Sequence, residues 1–136
     1  MNKVFFVMIA TLFFVDAQAS NIPSSINMVK TFRYEDDIIR IIKNNMEIKP
    51  EIEIEKFSTP DYKLIDNVVI DHVEVDGNRL GFQNISGVFV ESIGLVEDDI
   101  KFVLDYYFLH GRSETIVCNL PIGSVGFGEP HCSFSN

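Results

Sequence analysis

Apolar and polar positions follow one another along this chain in three distinct rhythms. The first is a continuous run. Val4–Val15 is apolar except for Thr11, stands behind the single cation Lys3, and is followed by Ala17-Gln18-Ala19. A positive start, an apolar core of about a dozen residues and a small-x-small site are the marks of a secretory signal peptide. The run is too short for a transmembrane helix, which takes about 20 apolar residues. The pattern predicts a signal segment over residues 1–19 and a single secreted domain over 20–136.

The second rhythm is helical. After the possible caps Ser24 and Ser25, Met28, Phe32, Ile39, Ile42 and Met46 fall near one face at helical spacing, with Ile38 and Ile41 widening the stripe. Glu35, Asp36, Arg40 and Lys43 then face water. The spacing predicts an amphipathic helix over about residues 25–46, ended by Asn44-Asn45 and Pro50.

From there the period falls to two. Ile52 and Ile54 alternate with Glu51, Glu53 and Glu55 between Pro50 and Pro60. This predicts a short strand with a solvated glutamate face, placed away from the middle of a sheet because prolines bound it. Ser58-Thr59-Pro60-Asp61 reads as a turn. "NVVIDHVEVDG" is rich in β-branched residues and ends in the turn pair Asp76-Gly77. Leu80, Phe82, Ile85, Val88, Val90, Ile93 and Leu95 follow, with Gly81, Gly87 and Gly94 among them, and Glu97-Asp98-Asp99 turns the chain. In "IKFVLDYYFLHG" one face carries Ile100, Phe102, Leu104, Tyr106 and Phe108, and the other Lys101, Val103, Asp105, Tyr107 and Leu109. "SETIVCNLPIGSVGFG" gives a return strand, a Pro-Ile-Gly turn and a last strand into Phe127. The predicted architecture is α+β: one N-terminal amphipathic helix packed on a curved antiparallel β-meander over about residues 51–128. Phe32, Ile39 and Ile42 of the helix face the apolar side of the sheet.

These residues resemble a family. "FSTPDYKLIDNVVIDHVEVDGNRLGFQNISGVFVESIGL" is similar to the region of arthropod takeout and juvenile-hormone-binding proteins in which a polar turn leads into strands and then into a glycine-started apolar element, here Gly87, Phe89, Val90 and Ile93. "IKFVLDYYFLHGRSETIVCNLPIGSVGFG" resembles the following hairpin, through Tyr107, Gly111, Leu120, Pro121, Ile122, Gly123, Gly126 and Gly128. Group 7 mite allergens share that architecture. The resemblance implies the tubular lipid-binding fold, a curved sheet wrapped round a long helix and an apolar tunnel. That family is nearly twice as long, so half of such a tube is implied here. Its disulfide lies near the mature N-terminus, unlike the cysteines of this chain.

Composition narrows the function. The net charge is −9, with 11 Lys and Arg against 20 Asp and Glu, which argues against nucleic acid and anionic membrane surfaces as partners; no later segment is long and apolar enough for stable membrane insertion as a helix. Cys118 and Cys132 are an even pair in a secreted chain and predict one disulfide. Asn84-Ile85-Ser86 is an N-glycosylation sequon. No cofactor or metal motif stands out; only His131 lies near the cysteines. Asp71, His72, His110, His131 and Cys118 are the candidates for catalysis. Asp71 and His72 are expected to point to opposite faces of a strand, Cys118 is expected in a disulfide, and no G-x-S-x-G, H-E-x-x-H or Walker loop is present. The expectation is a binding protein, not an enzyme.

The chain holds 12 Phe and no Trp. Phe82, Phe89, Phe102, Leu104, Tyr106 and Phe108, with the helix residues Phe32, Ile39 and Ile42, are the candidate lining for a lipid or terpenoid held by shape. The alternative is a secreted interaction or effector protein of venom, salivary or haemolymph type, with a closed core and no small ligand. A half-length tube with an apolar rim suggests a homodimer that completes itself.

Overall fold

The computed structural model describes residues 25–136. The expected signal segment 1–19 and its cleavage point before Ser20 lie outside the described residues. The described chain is all-β, with ten strands and no helix. β1 (Ile26–Tyr34), β2 (Asp37–Asn44), β3 (Ile52–Ser58) and β4 (Leu64–Ile70) form one antiparallel sheet in chain order. β5 (His72–Val75) and β6 (Asn78–Gly81) form a hairpin. β7 (Gly87–Val96), β8 (Asp99–Tyr107), β9 (Ser113–Pro121) and β10 (His131–Phe134) form a second four-stranded antiparallel sheet, again with chain neighbours adjacent. The inner faces of the two sheets share one core.

The predicted N-terminal helix is therefore replaced by the β1–β2 hairpin, and the α+β class by a sandwich of two meanders. The segment Asp37–Asn44 contains four isoleucines. β-branched side chains lose rotamer freedom in a helix and pack well on a pleated sheet. Glu35, at φ 52°, and Asp36 then make the tight turn that folds β2 back on β1. A run this dense in apolar residues satisfies both helical and strand spacing, and the isoleucines decide between them. Phe32 and Ile39 still point inward, directly opposite one another. Ile42 does not: it pairs with Val29 and Glu53 on the outer face.

β3 is also corrected. It lies between β2 and β4, inside its sheet. Pro50 and Pro60 fall outside Ile52–Ser58, so every amide within the strand is free to pair. The last strand is β10, beyond the expected end at Phe127, which makes only an isolated bridge with Ile122.

Strand parity assigns the core. Ile39 and Ile41 of β2 and Ile52 and Ile54 of β3 meet Ile100, Phe102 and Leu104 of β8 and Ile116 and Leu120 of β9. All nine are completely buried. Each such burial contributes about 1.5–3 kcal/mol. The inner face of β8 is thus the one expected from its sequence. Its outer face carries Val103, half-buried beside Val117, with Asp105 accepting a hydrogen bond from Thr115 Oγ1 at 2.8 Å. That face has cross-strand neighbours in place of a second layer. Tyr106 donates its hydroxyl to Gly81 O at 2.8 Å, and Tyr107 points the other way. The expected disulfide is present: Cys118 and Cys132 sit opposite one another in β9 and β10, with Cα atoms 4.1 Å apart. It staples a short edge strand to the sheet, a link worth about 3 kcal/mol in the chain-entropy account.

One end of the sandwich is closed by polar groups. Lys56 follows Ile52 and Ile54 on the inner face and is 1% exposed. Its ammonium donates to Gly123 O at 2.7 Å and Ser124 O at 3.2 Å, and pairs with Asp37 Oδ2 at 3.2 Å. Asp66, its cross-strand neighbour, accepts the Phe127 amide at 2.9 Å. A side chain at Gly126 would collide with the Asp66 carboxylate, so the loop approaches this closely because that residue has none. Lys56→Met keeps the stem but leaves Asp37 and two carbonyls without their donor. Chemical denaturation should show a loss of about 3 kcal/mol, and Lys49→Met, at an exposed ion pair, a loss below about 1 kcal/mol.

Candidate functional site: an open end cleft

Among the described residues the opposite end is open. There the inner faces part around a cleft of about 860 Å³. It lies between the β2–β3 connection and the β6–β7 loop. Its apolar lining is Phe82, Ile85, Val88 and Val90 on one side and Met46 and Ile48 on the other, with Phe89 at the mouth. Val88 and Val90 share the inner parity of β7, beside Tyr106 and Leu104. Phe82 is anchored by its amide, which donates to Asp71 O at 2.9 Å. The polar lining comprises Asn27, Lys43, Asn44, Asn45, Glu47 and Asn84, among others. A volume of this size is in the usual range for a small-ligand site.

Local structure explains the opening. Asn44 is 1% exposed, and its amide nitrogen reaches Glu53 Oε1 at 3.2 Å. The Asn45 amide donates to Ser25 O, and Asn45 Oδ1 accepts the Glu47 amide at 3.0 Å. These bonds turn the chain after β2 and hold the connection as one wall. The facing wall, residues 82–86, is a bend whose Ser86 amide donates to Tyr107 O at 3.1 Å. Asn84 is exposed there, at φ 59°, so the sequon stands on the rim.

Of the residues expected to line a ligand site, the structure brings Phe82 and Phe89 to the cleft. Phe102, Leu104, Tyr106, Ile39 and Phe32 belong to the packed core or lie against it. Phe108 lies just past β8, its ring edge-on to Tyr106 at 4.8 Å. Ile42 lies on the outer face. Lys43, expected in water, shares inner parity with Ile39 and Ile41 and enters the cleft. Reading Asp37–Asn44 at period two would have found it. The same reading of Ile52, Ile54 and Lys56 would have found the buried lysine.

The catalytic candidates fall elsewhere. Asp71 and His72 do not point apart. Asp71 sits at the kink between β4 and β5, outside either strand, and its Oδ1 lies 2.6 Å from His72 Nδ1. The hydrogen bond to His72 holds the Asp71 carboxyl below its ordinary value. Cys118 is in the disulfide, and His110 and His131 are exposed. Among the described residues no cluster of three or more His, Cys, Asp or Glu side chains forms a metal-binding group. Scans against protein-family models, curated proteins and solved structures returned no match. The helix-wrapped tube implied by the takeout-like resemblance is not the fold of the described residues. None of these residues forms a helix long and apolar enough to cross a membrane.

One acidic pair on the outer face gives a direct test of local electrostatics. Glu91 stands at the β7 bulge, and its carboxyl is held above its ordinary value by a hydrogen bond and repulsion from Asp105. A raised carboxyl contributes stability that is full below its unfolded value and is lost as pH rises through the folded value. Glu91→Gln should therefore raise the melting temperature at pH 7 and leave it unchanged below about pH 4. Thermal melts of both proteins at the two pH values check this.

Proposed function

We propose that the protein is a secreted carrier for a small hydrophobic or amphipathic ligand of lipid or terpenoid class, taken up in the end cleft. The cleft itself carries this reading: a lining of mixed apolar and polar side chains and a volume suited to one small molecule. The ligand is assigned to the cleft because Phe102, Leu104 and Ile39 pack against one another with no exposed surface. Secretion is supported by the Cys118–Cys132 disulfide, which oxidising compartments favour, and by the signal-like sequence before Ser20. A glycan on Asn84 would stand on the rim of the cleft.

A second reading is a secreted interaction protein without a small ligand. It is favoured by Phe89, Tyr107 and Leu109, which are 54%, 40% and 68% exposed. The rings of Phe89 and Tyr107 meet edge-to-face at 5.6 Å. Such exposed aromatics suit a protein contact.

Titration of delipidated protein with an environment-sensitive fatty-acid probe separates the two. The carrier reading expects saturable uptake at micromolar protein. Ile85→Asp, which puts a charge into the apolar part of the cleft lining, should weaken uptake by about tenfold or more. Val69→Asp, on the outer face of β4, should leave uptake unchanged. An absence of saturable uptake by wild type overturns the carrier reading in favour of the second.

A further inference from the structure

Two inner-face lysines at opposite ends of the sandwich have opposite surroundings. Lys56 is completely buried and its ammonium is satisfied by Asp37, Gly123 O and Ser124 O. Lys43 has the same parity, with Ile52 and Met28 as its cross-strand partners, and lines the cleft half-buried. Among the described residues it has no hydrogen bond or ion pair. The nearby carboxylates have other roles: Glu51 and Glu53 pair with Lys49 at 2.5 and 2.8 Å. Glu47, also on the rim, is exposed and makes no ion pair with Lys43 among the described residues. A half-buried cation without a partner, with reduced access to water, gains most from an anion brought to it.

From this contrast we infer that the cleft selects anionic amphiphiles, with Lys43 receiving a singly charged carboxylate head and the floor of Phe82, Ile85, Val88 and Met46 receiving the apolar tail. The inference rests on the carrier reading and adds the chemistry of the head group. A carboxylate is favoured over a phosphate dianion because one lysine offsets one charge, and Glu47 on the same rim penalises a second. Asn27 and Asn45 are further polar neighbours of the head. Lys43 is a specificity residue: it chooses the head group, and the tail supplies the common affinity.

The test compares a fluorescent long-chain carboxylic acid with its uncharged methyl ester on full-length secreted protein. Wild type should bind the acid about tenfold more tightly than the ester, the usual size of one charge-assisted hydrogen bond. Lys43→Met should bring the acid to within about twofold of the ester. Lys43→Arg should keep the preference, and high salt should reduce it in wild type. Equal binding of acid and ester by wild type overturns the inference and leaves the carrier reading standing. A preference for the acid that survives in Lys43→Met also overturns it, since the selecting charge is then elsewhere. If wild type binds neither probe, the carrier reading fails and the inference with it. Should Lys43→Met fold poorly, the acid-to-ester ratio in Lys43→Gln decides the same question.

Discussion

The ammonium of Lys56 is the interaction on which the closed end depends. A charge removed from water inside a sandwich is tolerated only when it is paired and hydrogen-bonded. Lys56 meets that condition with one carboxylate from the neighbouring strand of its own sheet and two carbonyls from a loop of the other sheet. Asp37 comes from the start of β2 and the carbonyls from the loop after β9. One side chain thereby ties the first sheet to the second across their shared edge. Asp66 and the Phe127 amide repeat the tie one strand over, and Tyr34 Oη donates to Asp98 at 3.1 Å nearby. With these groups joined, the inner faces are held together at that end.

Among the described residues the other end has no such bonds between the two sheets, and this asymmetry leaves the cleft there. The apolar cluster is packed in the middle and holds the sheets in place. The β2–β3 connection and the β6–β7 loop are each held by their own hydrogen bonds and do not bridge the gap between them. Lys30 makes one crossing at the lateral edge, donating to Ile93 O at 3.1 Å. A ligand at this end therefore need not displace core side chains. Phe82 and Val88 belong to both the core and the cleft, whereas Lys43, Asn45, Met46, Ile48 and Ile85 line the cleft outside the fully buried core.

Much of the strand pattern is legible in the sequence, and the reasons differ by region. Ile100–Tyr107 alternates clearly, and its inner face was assigned correctly. Asp76-Gly77, Glu97-Asp98 and His110-Gly111 mark turns because their residues tolerate or require unusual backbone angles. The N-terminal segment misleads because four isoleucines in eight residues leave too few polar positions to fix a period. A period of 3.6 puts Ile42 inside and Lys43 in water on a helix, whereas the period of two that the strand adopts reverses both. The Asp71–His72 pair departs from the pattern for a different reason: a kink between strands breaks the rule of alternating faces. The cleft was half visible, through Phe82 and Phe89. Its lysine was hidden by the period error, and its walls depend on backbone turns that no apolar pattern encodes.

The most direct test of the closed-end, open-end account is native-state amide hydrogen exchange. The Phe127 amide, held by Asp66, and the Gly123 amide, held by Gly126 O at 2.7 Å, belong to the loop that Lys56 anchors. They should exchange as slowly as the amides of β8 and β9, while Gln83, Asn84 and Ile85 on the open rim exchange rapidly. Rapid exchange of Phe127 and Gly123, at the pace of residues 83–85, would contradict the account, because the loop would then not be tied to the first sheet.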